Sequence, residues 1–215
     1  MTKMLTAVLM GAGLALTPAA AFADSGDSPV LQRIDERGTV NVGHRETSIP
    51  FAYLDDSGTP IGYTIDVCMK IVDAIGEQLG RDDLEVNLVP VTGQTRIALM
   101  ANGTIDLECG STTNNLTRQR QVAYLPTTFI TGTKIAVAED NDATSLDEME
   151  GMILGVSSGT TNEKTVKAYI EDKGLDVRIQ EFKDHAQAWL AMETQRIDAY
   201  ASDDVLLFGL ISKAK

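Results

Sequence analysis

The sequence is short of the groups that most catalytic and nucleic-acid-binding chains depend on. It has two histidines, two cysteines and one tryptophan in 215 residues, and aromatic residues make up 5% of it. The two cysteines and two histidines are scattered without zinc-ligand spacing. Neither a phosphate-cradling P-loop nor a nucleophile elbow is present. Positive charge is scarce as well: 18 Lys and Arg face 31 Asp and Glu, a formal charge of −13. That balance argues against nucleic acid or an anionic membrane surface as a partner. Any anion site must be local, built against the overall field.

Long apolar runs are also missing, apart from Met4 to Leu16. That run is too short to span a bilayer, which takes about 20 apolar residues. Lys3 before it and Ala21-Phe22-Ala23 after it make residues 1–23 a signal peptide, with cleavage expected after Ala23. Its brevity and alanine-rich end look bacterial. Removing Lys3, the only charged residue in this segment, takes the formal charge from −13 to −14. Export permits a disulfide, and whether Cys68 and Cys109 pair with each other is open at this point.

What remains is a globular composition, 43% hydrophobic, long enough for one large domain or two small ones. The segment from Asp106 to Arg120 is its most informative stretch. A short apolar strand carries Leu107 and Cys109 into Gly110, followed by Ser111, Thr112, Thr113, Asn114 and Asn115. Five small hydrogen-bonding residues in a row cannot build a core. Leu116-Thr117-Arg118 then opens a helix capped by Asn115 or Thr117, so backbone N–H groups, hydroxyls and a guanidinium converge where an anion could sit.

Two more arginines occupy similar places. The strand Thr39 to Gly43 alternates with Val40 and Val42 on one face and ends at His44-Arg45-Glu46. A helix with Ile65, Cys68, Met69, Val72, Ile75 and Leu79 on its apolar face follows, and its Cys68 reads as a buried thiol. The strand Leu84 to Val89 leads through Gly93 to a helix opening at Arg96. Three arginines at successive strand-to-helix junctions of a right-handed series lie on one edge of a parallel sheet. The coincidence favours one shared anion pocket.

From Tyr124 to Ala138 the chain is almost continuous β-former with no helix signal, as a segment crossing between lobes would be. Ser145-Leu146-Asp147-Glu148 has the start of a capping box. A strand from Gly151 to Val156 then enters a second hydroxyl-rich turn, Ser157 to Thr161, and a helix from Asn162 to Lys173. The strand Val177 to Phe182 ends at Asp184-His185, and the strand Ile197 to Ala201 ends at Ser202-Asp203-Asp204. The last two read most simply as an N-cap pair for the helix Val205 to Ile211.

The segments G-H-R-E-T-S-I-P-F-A-Y, Q-T-R-I-A-L-M-A-N-G-T-I-D-L-E-C-G-S-T-T-N-N-L-T-R-Q-R, V-S-S-G-T-T-N-E and K-D-H resemble the periplasmic glutamate/aspartate-binding proteins of bacterial ABC transporters, within the family 3 solute-binding proteins. The similarity runs from about Leu31 to Lys215. It implies an α/β, type II periplasmic binding fold of two lobes joined by a hinge, with lobe one at 24–131 and lobe two at 132–215. It implies a periplasmic monomer without a cofactor, which takes an acidic L-amino acid and hands it to the permease of an ABC importer. Arg118, Thr113, Ser157 and Thr160 would take the ligand α-carboxylate, Ser111 and Asp203 the α-ammonium, and Arg45, Arg96 and His185 the side-chain carboxylate.

Two departures stand out. Gly93 replaces the serine that the family usually has, which removes a distal donor and leaves room for aspartate, glutamine or asparagine. The chain also reads as truncated, because relatives continue past residue 215 to return to lobe one. Many of them carry a later cysteine that pairs with the one matching Cys109, so Cys109 is expected to lack its partner here. Two rival classes remain: a dehydratase-like enzyme on the same fold, with His185 and Glu46 as its only acid–base candidates, and a receptor's sensor domain.

Overall fold

The computed structural model describes residues 28–214; the signal segment expected at 1–23 lies outside them. Helix α1 (Pro29–Arg37) starts at a Ser28 cap and stops at Gly38, whose φ of 67° only glycine adopts freely. The chain continues through β1 (Thr39–His44), β2 (Thr47–Ser48), β3 (Ala52–Leu54), β4 (Pro60–Ile61), α2 (Tyr63–Leu79), β5 (Glu85–Pro90), α3 (Arg96–Ala101), β6 (Leu107–Cys109) and α4 (Leu116–Gln119). Strands β5, β1 and β6 form a parallel sheet in that order, and β2, β3 and β4 a small antiparallel one. Val40 and Val42 face α1 and α2, packing with Ile34, Ile65, Val72 and Cys109 into the first core. Asp106 locks the start of β6 to α1. Its buried carboxylate accepts from the Asn41 amide at 2.8 Å and meets the Arg33 and Arg37 guanidinium groups.

The second half holds β7 (Thr133–Val137), a 3₁₀ turn (Leu146–Glu148), β8 (Ile153–Ser157), α5 (Thr161–Lys173), β9 (Arg178–Phe182), α6 (His185–Glu193), β10 (Ala199–Asp203) and α7 (Asp204–Ile211). Its sheet runs β7-β10-β8-β9, with β7 antiparallel to β10 and the other pairs parallel. A core around Leu154, Val156, Val166 and Ala199 fills one face; Ala188, Met192, Ile197, Leu207 and Leu210 fill the other. Both faces are therefore covered, as parallel sheets require.

The β-forming stretch from 124 to 138 contains no helix, and within it Thr133–Val137 pairs as a strand. Two local expectations are corrected. At the 3₁₀ turn the Ser145 side chain makes no cap bond, and Glu148 accepts from the Thr144 amide at 2.7 Å and its hydroxyl at 3.0 Å. Asp203 sits at the N-cap of α7 without a side-chain cap bond, while Asp204 accepts from the Val205 amide at 2.6 Å.

The cysteine expectation is overturned. Cys109 does have a partner in this chain, and Cys68 is no free thiol: the two form a disulfide, with Cα atoms 6.2 Å apart and 41 residues of separation. The apolar face of α2 that buries Cys68 lies directly on the end of β6. Closing a loop of 41 residues restricts the unfolded chain by about 4 kcal/mol in the loop-entropy account. A non-reducing peptide map should therefore contain a linked Cys68–Cys109 peptide. Replacing both cysteines by alanine should lower stability to denaturant by roughly 2–4 kcal/mol, and equal midpoints with and without reductant would contradict this.

Candidate functional site

The ends of β1, β5 and β6 each deliver one arginine to the same sheet edge. Arg45 follows β1 directly, is 1% exposed, and its Nη1 and Nη2 have no hydrogen-bond partner among the described residues. Arg96 opens α3 after a turn in which the Thr92 and Thr95 hydroxyls each accept the other's backbone amide, at 3.2 and 3.0 Å. It is 2% exposed, and its Nε and Nη1 are likewise unpartnered. Burying a guanidinium normally demands satisfied donors. Four such atoms left without acceptors at one place are the mark of an anion site.

Arg118 is placed by the hydroxyl-rich loop. Asn115, not Thr117, caps α4, its Oδ1 accepting from the Arg118 amide at 3.0 Å. The Arg118 side chain then donates to the Thr113 carbonyl at 2.9 Å and, from the first half of the chain to the second, to the Gly159 carbonyl at 3.0 Å. The Thr113 hydroxyl also meets that of Thr161 at 3.1 Å. Ser111, half-buried, donates to the Ser48 hydroxyl at 3.2 Å.

From the second sheet come the ends of β8, β9 and β10. Thr160 caps α5: its hydroxyl accepts from the Glu163 amide at 3.1 Å and donates to the Ser157 carbonyl at 2.7 Å, while Glu163 accepts from the Gly159 amide at 2.7 Å. Gly159 takes φ of 74° and packs against Gly93. A Cβ on Gly93 would lie 2.4 Å from the Ser158 carbonyl oxygen, and one on Gly159 2.5 Å from the Gly93 oxygen. Gly93 is thus a contact point where the two halves meet backbone to backbone, with no space for a side chain.

His185 begins α6 behind the Asp184 cap and is 1% exposed. Its Nδ1 is 2.6 Å from the Tyr200 hydroxyl, which is 2.9 Å from Ser157 Oγ; its Nε2 has no partner among the described residues. Burial, with the charges of Arg45 and Arg96, pushes its pKa well below 6.5 and keeps the ring neutral. Burial also raises the Tyr200 phenol to about 12. The same effect lowers both inner guanidinium groups, Arg96 to about 10, with Glu108 the largest charge opposing the fall in each. Asp203, half-buried at the end of β10, is raised by burial, and the Asn162 amide works against that rise.

All nine expected site residues therefore lie at strand ends of the two sheets, in the turns that follow them or in the first turn of the next helix. The charged ones lie close enough to act on one another: Arg45 and Arg118 repel the charge on Arg96, Arg45 and Arg96 disfavour a charge on His185, and Arg96 and Arg118 favour the charge on Asp203. A cavity of about 900 Å³ reaches this edge through Arg96, Glu108, Ser111 and Asp203, then runs off along an apolar wall that includes Ile71 and Ile97. The sequence analysis missed Tyr200 and Glu108. Glu46, considered there as an acid–base candidate, is exposed. Among the described residues no group of three His, Cys, Asp or Glu could hold a metal ion.

Two α/β halves with donor-bearing strand ends facing each other define a two-lobed solute-binding fold. The chain belongs to the bacterial extracellular solute-binding proteins, family 3, whose pattern it matches over residues 40–204. It is 40% identical over 214 residues to the glutamate/aspartate import solute-binding protein of Salmonella typhimurium, covering 99% of this chain and 70% of that one. It is 41% identical over 186 residues to the L-glutamate/L-aspartate-binding protein of Pseudomonas aeruginosa, covering 86% of this chain and 62% of that one. Among solved structures, an ancestral arginine-binding protein bound to arginine superposes with a TM-score of 0.71 at 29% identity, over 82% of this chain and 75% of the other. An ancestral amino acid-binding protein that is a precursor of cyclohexadienyl dehydratase shares the fold, with a TM-score of 0.74 at 23% identity over 85% and 78% of the two chains.

A neutral His185 sets a pH expectation. Its folded pKa lies below the unfolded value of about 6.5, so below that pH the unfolded state binds the extra proton and stability falls with pH; above it His185 contributes no pH dependence. Carbon or nitrogen NMR of the His185 ring should show an imidazole that stays neutral where a free one takes up its proton, and a midpoint near the unfolded value would contradict the burial argument.

Proposed function

We propose that this chain captures L-glutamate or L-aspartate between its lobes in the periplasm and delivers it to the membrane permease of an ABC importer. The observation that carries the proposal is the set of unpartnered buried nitrogens on Arg45, Arg96 and His185, with Arg118 and Asp203 near enough to act on Arg96 by charge. Two carboxylates and one ammonium fit that spread of charge, and the named relatives bind glutamate and aspartate.

Arg118 serves the α-carboxylate, helped by Thr113 and the turn from Ser157 to Thr160. Asp203 and Ser111 receive the α-ammonium. Arg45, Arg96 and His185 hold the side-chain carboxylate. The imidazole is suited to this when Tyr200 donates to Nδ1, because the proton then resides on Nε2 and can be given to an anion. Lobe one corresponds to 24–131 and lobe two to 132–215. Ligand favours the closed arrangement because only there do Arg118 and Asp203, from different lobes, act on one molecule. Gly93 and Gly159 permit that approach, which is a steric reason for glycine at position 93. The ligand leaves unaltered: Glu46 is exposed, and His185 is a buried neutral ring held by a hydroxyl rather than by a carboxylate.

Calorimetric titration with L-glutamate, L-aspartate, L-glutamine and L-arginine tests the reading. The acidic pair should bind tightly and L-arginine not at all. Arg118→Ala should weaken L-glutamate by about 30-fold or more, because a desolvated carboxylate left without its partner costs roughly 2–5 kcal/mol. Equal affinity for L-glutamine, or an Arg118→Ala variant within a few-fold of the parent, would overturn it.

A further inference from the structure

Glu108 is a carboxylate in the wrong place for an anion site, unless it serves one. Strand alternation sends Leu107 and Cys109 toward α2 and Glu108 to the opposite face. There its Oε1 is buried with no hydrogen-bond partner among the described residues. It lies over the Cα of Gly110: a Cβ on that glycine would be 2.5 Å from Oε1 and 2.7 Å from Cγ of Arg45. Glycine at 110 is what lets the carboxylate and the arginine stem share this corner. Glu108 also lines the same cavity as Arg96 and Asp203.

The charges of the site can then be balanced. Three guanidinium groups stand against the carboxylates of Glu108 and Asp203, and His185 is neutral, which leaves one net positive charge. An amino acid with two carboxylates and one ammonium carries one net negative charge and closes the balance to zero. A neutral amide analogue leaves it open. Of the other carboxylates acting on Arg45, Glu46 is exposed, and Asp184 is engaged in capping α6 through the Gln187 amide at 2.9 Å.

We infer that Glu108 is a specificity-determining residue, a resident carboxylate that sets the net charge of the distal subsite by acting through Arg45 and Arg96 without itself holding the ligand. This rests on the proposed acidic amino acid site and deepens it. Removing the charge raises the positive potential at the distal subsite, which acts on a ligand carboxylate and not on a neutral amide.

The test is the ratio of L-glutamate to L-glutamine affinity in the parent, Glu108→Gln and Glu108→Asp. In Glu108→Gln the preference for L-glutamate should rise by about tenfold or more, with L-glutamine affinity changed less than about threefold. Glu108→Asp keeps the charge and should keep the parental ratio. A ratio unmoved in Glu108→Gln, or equal weakening of both ligands in both variants, would overturn the inference while leaving the acidic site standing. A parent that binds no L-glutamate would overturn both. Should Glu108→Gln fail to fold, Glu108→Met, uncharged and of similar size, gives the second reading: the ratio should rise as in Glu108→Gln, and no movement would count against the inference.

Discussion

The structure turns on a cost that Glu108 offsets only in part: Arg45 and Arg96 are buried, each with two guanidinium nitrogens that have no acceptor among the described residues. Unpaired buried charge is among the most destabilising features a fold can carry, and it persists only where something else is gained. Much of the surrounding architecture reads as support for it. The parallel strands fix the sheet edge, the Cys68–Cys109 disulfide ties α2 to the strand that leads into the binding loop, and the Asp106 network holds the other end of that strand to α1.

Support from the second half is chemically different. It offers hydroxyls, a helix N-terminus and a neutral ring rather than cations. Ser157, Tyr200 and His185 form a buried chain that orients donors without adding charge, while Asp203, half-buried, supplies a carboxylate from this side. The asymmetry suits a ligand with charges of both signs, since a site made only of arginines would take any anion. The Arg118 bond to Gly159 together with the glycine contact at position 93 shows how closely the halves fit.

Much of this was legible in the sequence because strand ends announce themselves. Arg45, Arg96 and Arg118 each follow a short apolar strand, and right-handed crossovers put all three on one edge. The cysteine pairing was not legible: helical spacing explained Cys68 as an apolar-face residue, and nothing in a one-dimensional pattern says which strand that face covers. Tyr200 was missed because it lies inside Ala199–Asp203, where a lone aromatic reads as packing; only the central position of β10 shows that its hydroxyl must find a buried partner. Glu108 stood unremarked within its motif because no arginine is near it in the chain, and its buried oxygen is visible only in three dimensions.

The central claim is that the unpartnered donors of Arg45, Arg96 and His185 receive the distal carboxylate of an acidic amino acid. A crystal structure of the protein with L-glutamate tests it most directly. The account predicts the side-chain carboxylate within hydrogen-bond distance of Arg45, Arg96 and His185 Nε2, and the α-carboxylate on Arg118. A ligand bound in the opposite sense, or one whose distal carboxylate leaves those donors without an acceptor, would contradict it.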